Sequence, residues 1–308
     1  MDSMISFTPS NMDVYSTIKF VKRDESNENE KLFQLMYLDY DGNDQSNTPF
    51  TSAKTLVHDI RPMKSSLSFD KEGFVVLDLD CQMQPEDFYD RNKVKTIFGP
   101  QLRDALKKLT GARCVYFHET VVCSSHIPDK DSQFTKGDQI RERGSAFNSS
   151  DDGLMMKANN SQYEQPVQVA HVDYTADQLR YIVQELTGEE LNDDIHLQAF
   201  NVWKPLRGPL KDWPLACCDA STAELETDFH KMDSVFADGF IEGYIMGYSA
   251  NQKWCYLSDQ SPNELLVFNI ADSHNTFRPV PHCAFFNPDC PEDEERRQSI
   301  EFRCIAIY

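Results

Sequence analysis

The chain has 308 residues, of which 40% are hydrophobic, and it carries a formal net charge of −20. This acidity argues against nucleic acid and against anionic membrane surfaces as partners, because both attract basic patches. The length permits one large domain or two ordinary ones, and no segment has the composition of a convincing linker. We therefore expect a single domain over residues 1–308.

The nine cysteines show no CxxC spacing and no regular pairing, which is typical of free thiols in a reducing compartment. The N-terminus has neither the basic region nor the apolar run that a signal peptide needs. No apolar run approaches the ~18 residues of a membrane helix. The sequence thus predicts a cytoplasmic protein, and it gives no indication of an oligomeric state.

In chain order, the first part of the protein mixes short strands with helices. Residues 1–30 are polar and are expected to form a loose arm. Short apolar bursts within 31–60 and the segment 73–80 then predict strands. Helical periodicity follows and ends at Gly111, after which "CVYFHETVVC" (114–123) is another predicted strand.

The second part begins with residues 124–165, which are polar, rich in Ser, Asp and Asn, and without a sustained period. A loop of this length is commonly functional or disordered, so a flap beside a site and plain disorder both stay open. A helix is predicted over 176–187, with Gly188 after it. From 195 onwards, short aromatic and β-branched segments predict strands. The pattern indicates a mainly β (α+β) fold, a jelly roll with helices packed outside it.

The stretch "AHVDYT" places His171 and Asp173 two residues apart. On a strand both side chains point to the same side, which suits two of the three protein ligands of a non-haem Fe(II) site. Eight histidines and 50 acidic residues produce roughly one such pair by chance, so the spacing alone decides nothing. A second histidine from a distant strand has to complete the site.

Four histidines downstream are candidates for that second ligand. His230 lies in a polar, helical-looking segment and is expected to face solvent. His196 lies in a predicted strand, where a hydrogen-bonded core histidine is the simpler interpretation. His274 lies in a turn, whereas His282 enters a strand that is followed at a useful distance by a basic strand.

On one face of that basic strand, by alternation, lie Arg297, Ser299, Glu301 and Arg303. Arg297 and Ser299 can together hold a buried carboxylate, such as that of 2-oxoglutarate, through a guanidinium fork and a hydroxyl. Glu301 can neutralise Arg303 in a structural ion pair. The alternative is a charged edge strand, and the spacing does not choose between the two.

Several stretches occur in the order found in one known family, among them "AHVDYT", "NVWKPLRGPLKDWPLACCDAST", "VPHCAFFNP" and "RRQSIEFRCIAIY". On these stretches the chain resembles the AsaB/CmcJ-like hydroxylase/desaturase family, a branch of the Fe(II)/2-oxoglutarate oxygenases. The resemblance implies a double-stranded β-helix (cupin-like) core with iron on His171, Asp173 and His282. It also implies 2-oxoglutarate on Arg297 and O2 as co-substrate. His274 follows the family's "DS" and is a rival for the second histidine ligand.

The function implied by the resemblance is oxidation of an unactivated C–H bond in a small specialised metabolite. Hydroxylation, desaturation and oxidative cyclisation are all open as outcomes. A non-catalytic jelly-roll ligand-binding protein and a metal hydrolase with the same triad are the alternatives. Tyr174, Asn201, Trp203 and Arg303 are candidates for lining the pocket or supporting the ligands, although core packing is the simpler interpretation of Trp203.

Overall fold

The computed structural model describes residues 10–22, 30–36, 45–124, 166–188 and 190–308. Within these residues the strands are β1 (Val14–Val21), β2 (Leu32–Leu35), β3 (Phe50–Asp59), β4 (Phe74–Asp78), β5 (Cys114–Ser124), β6 (His171–Val172), β7 (Leu197–Pro205), β8 (Leu215–Cys218), β9 (Phe229–Phe236), β10 (Gly239–Met246), β11 (Trp254–Tyr256), β12 (Glu264–Asp272), β13 (His282–Ala284) and β14 (Gln298–Ile307). The predicted mainly β architecture is therefore correct.

These strands form two sheets. The larger sheet has the order β1-β3-β11-β8-β13-β6-β10-β9-β2, and the smaller has the order β4-β12-β7-β14-β5. Neighbouring strands are antiparallel, except that β11 runs parallel to β3 and β2 runs parallel to β9. A bridge between Lys19 and Val169 also joins β1 to the segment before β6, so the larger sheet curls back on itself. The two sheets pack together through buried apolar side chains, including Val57, Met246 and Phe268.

The outer face of the smaller sheet is covered by a nearly continuous helical segment. A 3₁₀ turn (Pro85–Tyr89) leads to one α-helical turn, α1 (Arg91–Lys93), then to a π-helical turn (Val94–Phe98), and then to α2 (Gly99–Thr110). Four apolar side chains at helical spacing are buried against the sheet: Val94, Phe98, Leu102 and Leu106. Burying each contributes roughly 1.5–3 kcal/mol, which holds the segment to the sheet.

A further helix, α3 (Ala176–Thr187), begins directly after the "AHVDYT" stretch. Thr175 caps its first turn, since the side-chain oxygen accepts a hydrogen bond from the backbone N–H of Gln178 at 3.1 Å. Gly188, with φ of +68°, ends the helix as predicted, because this left-handed conformation favours glycine. The helix packs against β7, β10 and β12.

Two expectations from the sequence are wrong. Residues 14–21 are not part of a loose arm but form β1, whose side chains alternate between buried and exposed and pair with β3. The helical-looking segment around His230 is strand β9, which pairs with β10 in a hairpin whose two-residue turn is Ala237 and Asp238. The flap expected over 124–165 lies outside the described residues, except for Ser124 at the end of β5.

Candidate metal centre

The structure brings together one carboxylate and two imidazoles from neighbouring strands of the larger sheet. His171 and His282 are direct cross-strand partners on β6 and β13, and Asp173 follows β6 immediately. One potential ligand atom from each of the three residues lies within 4.8 Å of the other two. The Oδ1 atom of Asp173 is 3.7 Å from Nε2 of His171. The three residues therefore converge on one point, where they can hold a metal ion.

Both imidazoles are oriented by backbone carbonyls. Nδ1 of His171 lies 2.8 Å from the carbonyl oxygen of Val169, and Nδ1 of His282 lies 3.2 Å from that of Val280. A carbonyl can only accept, so each Nδ1 carries the proton and each Nε2 keeps a lone pair for a metal. Burial is the main cause that lowers the pKa of His282, to about 3. His282 is thus neutral near pH 7, as a ligand must be.

The carboxylate of Asp173 is fixed at both oxygens. Asn201 donates to Oδ2 at 2.7 Å, and Arg303 donates to Oδ1 at 3.1 Å. Burial opposes ionisation of this group, but the positive charge of Arg303 outweighs it and holds the pKa of Asp173 well below its usual range. Asp173 is therefore ionised at any ordinary pH.

The backbone carrying Asp173 lies unusually close to strand β10. A Cβ atom at Gly243 would be 2.6 Å from the carbonyl oxygen of Val172 and 2.7 Å from that of Asp173. Real Cβ atoms do not approach backbone atoms so closely, so only glycine fits at this position. Gly243 thus lets the ligand-bearing strand reach its place in the sheet.

The rival histidines lie elsewhere. Nε2 of His196 is 2.8 Å from a carboxylate oxygen of Asp272, and the His196 ring stacks on His274 with centroids 4.7 Å apart. His196 is thus the hydrogen-bonded histidine that its strand suggested. His230 lies on β9, where it pairs with Ile245 of β10. Within the described part of the chain, His171, Asp173 and His282 form the one group of three residues with metal-binding geometry.

A second feature of the site is a buried guanidinium with few partners. Arg297 is 3% exposed, and among the described residues no carboxylate lies within ion-pair distance of its side chain. Its Nη1 donates to the carbonyl oxygen of Trp213 at 2.6 Å, and its guanidinium lies 5.4 Å from the ring centre of Trp203. Nε of Arg297 and Oγ of the fully buried Ser299 have no hydrogen-bond partner within the described chain. Because a buried positive charge without a negatively charged partner is costly, this pair is suited to an anion such as a carboxylate.

Strand β14 carries Ser299, Glu301 and Arg303, and Arg297 lies immediately before it. The strand lies between β7 and β5, so the alternative of a charged edge strand is wrong. Arg303 pairs in register with Asn201 of β7, and Glu301 pairs with Trp203. The expected ion pair between Glu301 and Arg303 is present at 3.4 Å. Trp203 is buried in the core, as its simpler interpretation held, and it also lies under Arg297.

Three residues near the site escaped the sequence analysis. Glu119 on β5 accepts a hydrogen bond from Arg303 at 2.7 Å. Asp212 accepts one from the backbone N–H of Arg297 at 2.8 Å, and Trp213 supplies the carbonyl described above. Trp213 has a φ of +45°, which is unusual for a bulky residue, so its backbone conformation is imposed by the fold. Nothing in the local sequence indicates these long-range contacts.

Almost the whole chain matches the model of one known family. Residues 18–307 match the model of the family described as YDMC, an oxidoreductase/YMDC permease-like domain. The chain belongs to this oxidoreductase family. Despite the word permease in the family description, no helix among the described residues is long and apolar enough to cross a membrane.

Two dioxygenases and one solved structure are similar to this chain over most of its length. The α-ketoglutarate-dependent dioxygenase tstK of Talaromyces stipitatus is 29% identical over 263 residues, which cover 83% of this chain and 85% of tstK. The Fe(II)/2-oxoglutarate-dependent dioxygenase nvfI of Aspergillus novofumigatus is 27% identical over 277 residues, which cover 86% of this chain and 87% of nvfI. A solved structure of the iron and α-ketoglutarate-dependent endoperoxidase NvfI, with one tryptophan replaced by phenylalanine, gives a TM-score of 0.78 at 25% identity. It covers 98% of this chain and 99% of NvfI.

These matches confirm four expectations. The relationship to Fe(II)/2-oxoglutarate oxygenases is correct, and the fold is the jelly roll of that class. The protein is an enzyme of the dioxygenase class, whose cofactors are Fe(II), 2-oxoglutarate and O2. The non-catalytic alternative and the hydrolase alternative are therefore not supported.

Proposed function

We propose that His171, Asp173 and His282 hold Fe(II), and that Arg297 and Ser299 hold the distal carboxylate of 2-oxoglutarate. The observation that carries the proposal is the His–Asp–His cluster beside a buried guanidinium that has no carboxylate partner among the described residues. On this basis the protein oxidises an unactivated C–H bond of a small molecule.

The donor set fits Fe(II). Two neutral imidazole nitrogens and one carboxylate oxygen are the facial set that non-haem Fe(II) oxygenases use, and they leave three positions open for co-substrate and O2. When bound, the metal together with 2-oxoglutarate and O2 supplies the oxidant that removes hydrogen from an unactivated C–H bond. The residues of the chain contribute geometry: Val169 and Val280 orient the imidazoles, and Asn201 and Arg303 fix the carboxylate.

The anion site fits a carboxylate. Arg297 offers its unpaired Nε just before β14, and Ser299 offers a hydroxyl two residues further along the chain. The Trp203 ring beneath the guanidinium and the Trp213 carbonyl beside it fix the direction of the fork. A carboxylate bound here is dehydrated and meets a full positive charge, so both its affinity and its orientation follow from these two side chains.

The substrate that we propose is a small specialised metabolite, with amino-acid derivatives and terpenoid acids as the first classes to assay. Hydroxylation, desaturation and ring closure remain the proposed outcomes, and the relative NvfI is described as an endoperoxidase. We further propose that the protein acts as a single domain in the cytoplasm. Its nine cysteines, all within the described chain, are free thiols, which suits a reducing compartment.

The test is succinate production. Protein purified without oxygen is loaded with Fe(II) and 2-oxoglutarate, exposed to air, and assayed for succinate with a panel of metabolites. We expect succinate that depends on Fe(II) and rises with a subset of the panel. The Asp173→Ala variant should give none. Absence of Fe(II)-dependent succinate with every compound would contradict the proposal, and hydrolysis of a panel member with zinc in place of iron would favour a hydrolase.

A further inference from the structure

Arg303 is the centre of a buried cluster of charges beside the candidate metal centre. Its guanidinium contacts three carboxylates: Glu119 at 2.7 Å, Asp173 at 3.1 Å and Glu301 at 3.4 Å. The side chains of Glu119 and Asp173 are each 7% exposed, and those of Glu301 and Arg303 are 14% and 15% exposed. Interactions among these charges are therefore only weakly screened by water.

The contact between Arg303 and Asp173 raises a difficulty for metal binding. A guanidinium that donates to Oδ1 of Asp173 competes for electron density with any cation bound at that carboxylate. It also repels the cation directly, since both are positive. An arginine whose only carboxylate partner was Asp173 would thus lower the affinity of the site for a metal ion.

The two glutamates oppose this effect. Glu119 is the closer partner of Arg303, at 2.7 Å against 3.1 Å for Asp173, and it lies on β5 across from Arg303 in register. Glu301 reaches Nε of Arg303 from two positions away on the same face of β14. Three carboxylates against one guanidinium leave two negative charges in the cluster, which one divalent cation balances.

We infer that Glu119 and Glu301 are positioning residues for the metal centre, which neutralise Arg303 so that Asp173 keeps its full charge for the metal. Arg303 then orients the carboxylate without competing for it. The inference rests on the proposed metal-binding role of His171, Asp173 and His282, and it assigns a function to two glutamates that are not in this group of candidate ligands.

The experiment measures Mn(II) binding to metal-free protein, by the electron paramagnetic resonance signal of free Mn(II), with no co-substrate or turnover involved. Losing a direct partner of a metal ligand usually costs roughly 10–100-fold in affinity, and Glu119 acts on Asp173 only through Arg303, so Glu119→Gln should raise the dissociation constant by about 10-fold. Glu301→Gln should raise it less, because its contact with Arg303 is longer.

A double variant separates electrostatics from a merely structural role. Glu119→Gln combined with Arg303→Met restores the wild-type net charge of the cluster, so it should bind Mn(II) more tightly than Glu119→Gln alone. If Glu119 only supported the fold, the double variant would be no better than the single one, and that result would overturn the inference. Unchanged Mn(II) affinity in Glu119→Gln would overturn it as well.

Two controls make the outcome specific. Glu264→Gln removes a carboxylate that pairs with Arg61 and Lys64 outside the cluster, and it should leave Mn(II) affinity unchanged. The His171→Ala variant should not bind Mn(II). If it binds Mn(II) as the wild type does, the proposed metal centre is wrong, whatever the glutamate variants show. Should Glu119→Gln not fold, Glu301→Gln carries the same test, and unchanged affinity there contradicts the inference.

Discussion

His282 lies directly opposite His171 across the ladder between β13 and β6, and their ring centroids are 4.4 Å apart. The two imidazoles thus reach the same point although they are distant in sequence. Because side chains alternate along a strand, a slip of one residue in this ladder would turn His282 to the opposite face of the sheet. The metal centre therefore depends on the register of two short strands.

The choice of second histidine can be tested by substitution. His282→Ala should abolish Fe(II) binding, because it removes one of three convergent donors. His274→Ala should leave binding unchanged, since His274 stacks on His196 and contacts the carbonyl oxygen of Asp193 instead. Iron content per chain after anaerobic loading and desalting measures both. Loss of iron in His274→Ala with retention in His282→Ala would reverse the assignment.

Arg297 should determine the affinity for 2-oxoglutarate. Arg297→Gln removes the charge that faces the proposed carboxylate, and charge-assisted hydrogen bonds contribute about 1.5–3 kcal/mol, so KM for 2-oxoglutarate should rise about 10–150-fold. Ser299→Ala should have a smaller effect in the same direction. Arg296→Gln is the matched control, because that side chain is 62% exposed. A KM in Arg297→Gln equal to that of the wild type would rule out the assigned role.

Gly243→Ala should damage the metal centre through the backbone. The added methyl group would press on the carbonyl groups of Val172 and Asp173, with an expected cost of about 1–3 kcal/mol and weaker metal binding. Gly111→Ala is the control: it forces alanine into a φ of +71° at the end of α2 but meets no atom within 4 Å. Urea unfolding and Mn(II) affinity distinguish them, since Gly111→Ala should lose stability only. Equal Mn(II) affinity in wild type and Gly243→Ala would contradict the prediction.

Acid should destabilise the metal-free protein through His282. Its pKa of about 3 in the folded state lies below the unfolded value near 6.5, so the unfolded chain binds more protons between these values. The stability contributed by the neutral imidazole is complete above pH 6.5 and is lost as pH falls towards 3. From pH 7 to pH 5 the loss should be about 1–2 kcal/mol.

Urea unfolding of metal-free protein at pH 7 and pH 5 measures this loss. The wild type should lose more stability between the two pH values than His282→Gln does, because the glutamine does not titrate. The comparison of the two differences cancels the contributions of the other histidines. An equal pH dependence in both proteins would show that His282 is not held neutral by burial.

The sequence was informative wherever periodicity and spacing carry the signal. Alternation along β14 correctly placed Ser299, Glu301 and Arg303 on one face, and Gly111 and Gly188 ended their helices as expected. The sequence does not reveal strand β1, because polar residues surround it on both sides, although its own side chains alternate between buried and exposed. The polar residues of β1 lie on its exposed face, whereas its place beside β3 depends on the apolar residues of its buried face.

The contacts that shape the site were beyond the sequence because they join residues far apart in the chain. Glu119 contacts Arg303, and Asp212 contacts the backbone of Arg297, through neighbouring strands and loops whose register the sequence does not encode locally. The segment around His230 looks helical in sequence because its polar residues hide the pairing of β9 with β10. Long-range pairing, rather than local propensity, decided these cases.

The proposed iron and 2-oxoglutarate sites are tested most directly by an anaerobic titration of the Fe(II)-loaded protein with 2-oxoglutarate, followed by the visible absorption of the iron–2-oxoglutarate complex. We expect a band that saturates at one 2-oxoglutarate per chain, is absent in Asp173→Ala, and needs about 10–150-fold more 2-oxoglutarate in Arg297→Gln. A wild-type protein that gives no band, or a band that persists unchanged in Asp173→Ala, would contradict the proposed sites.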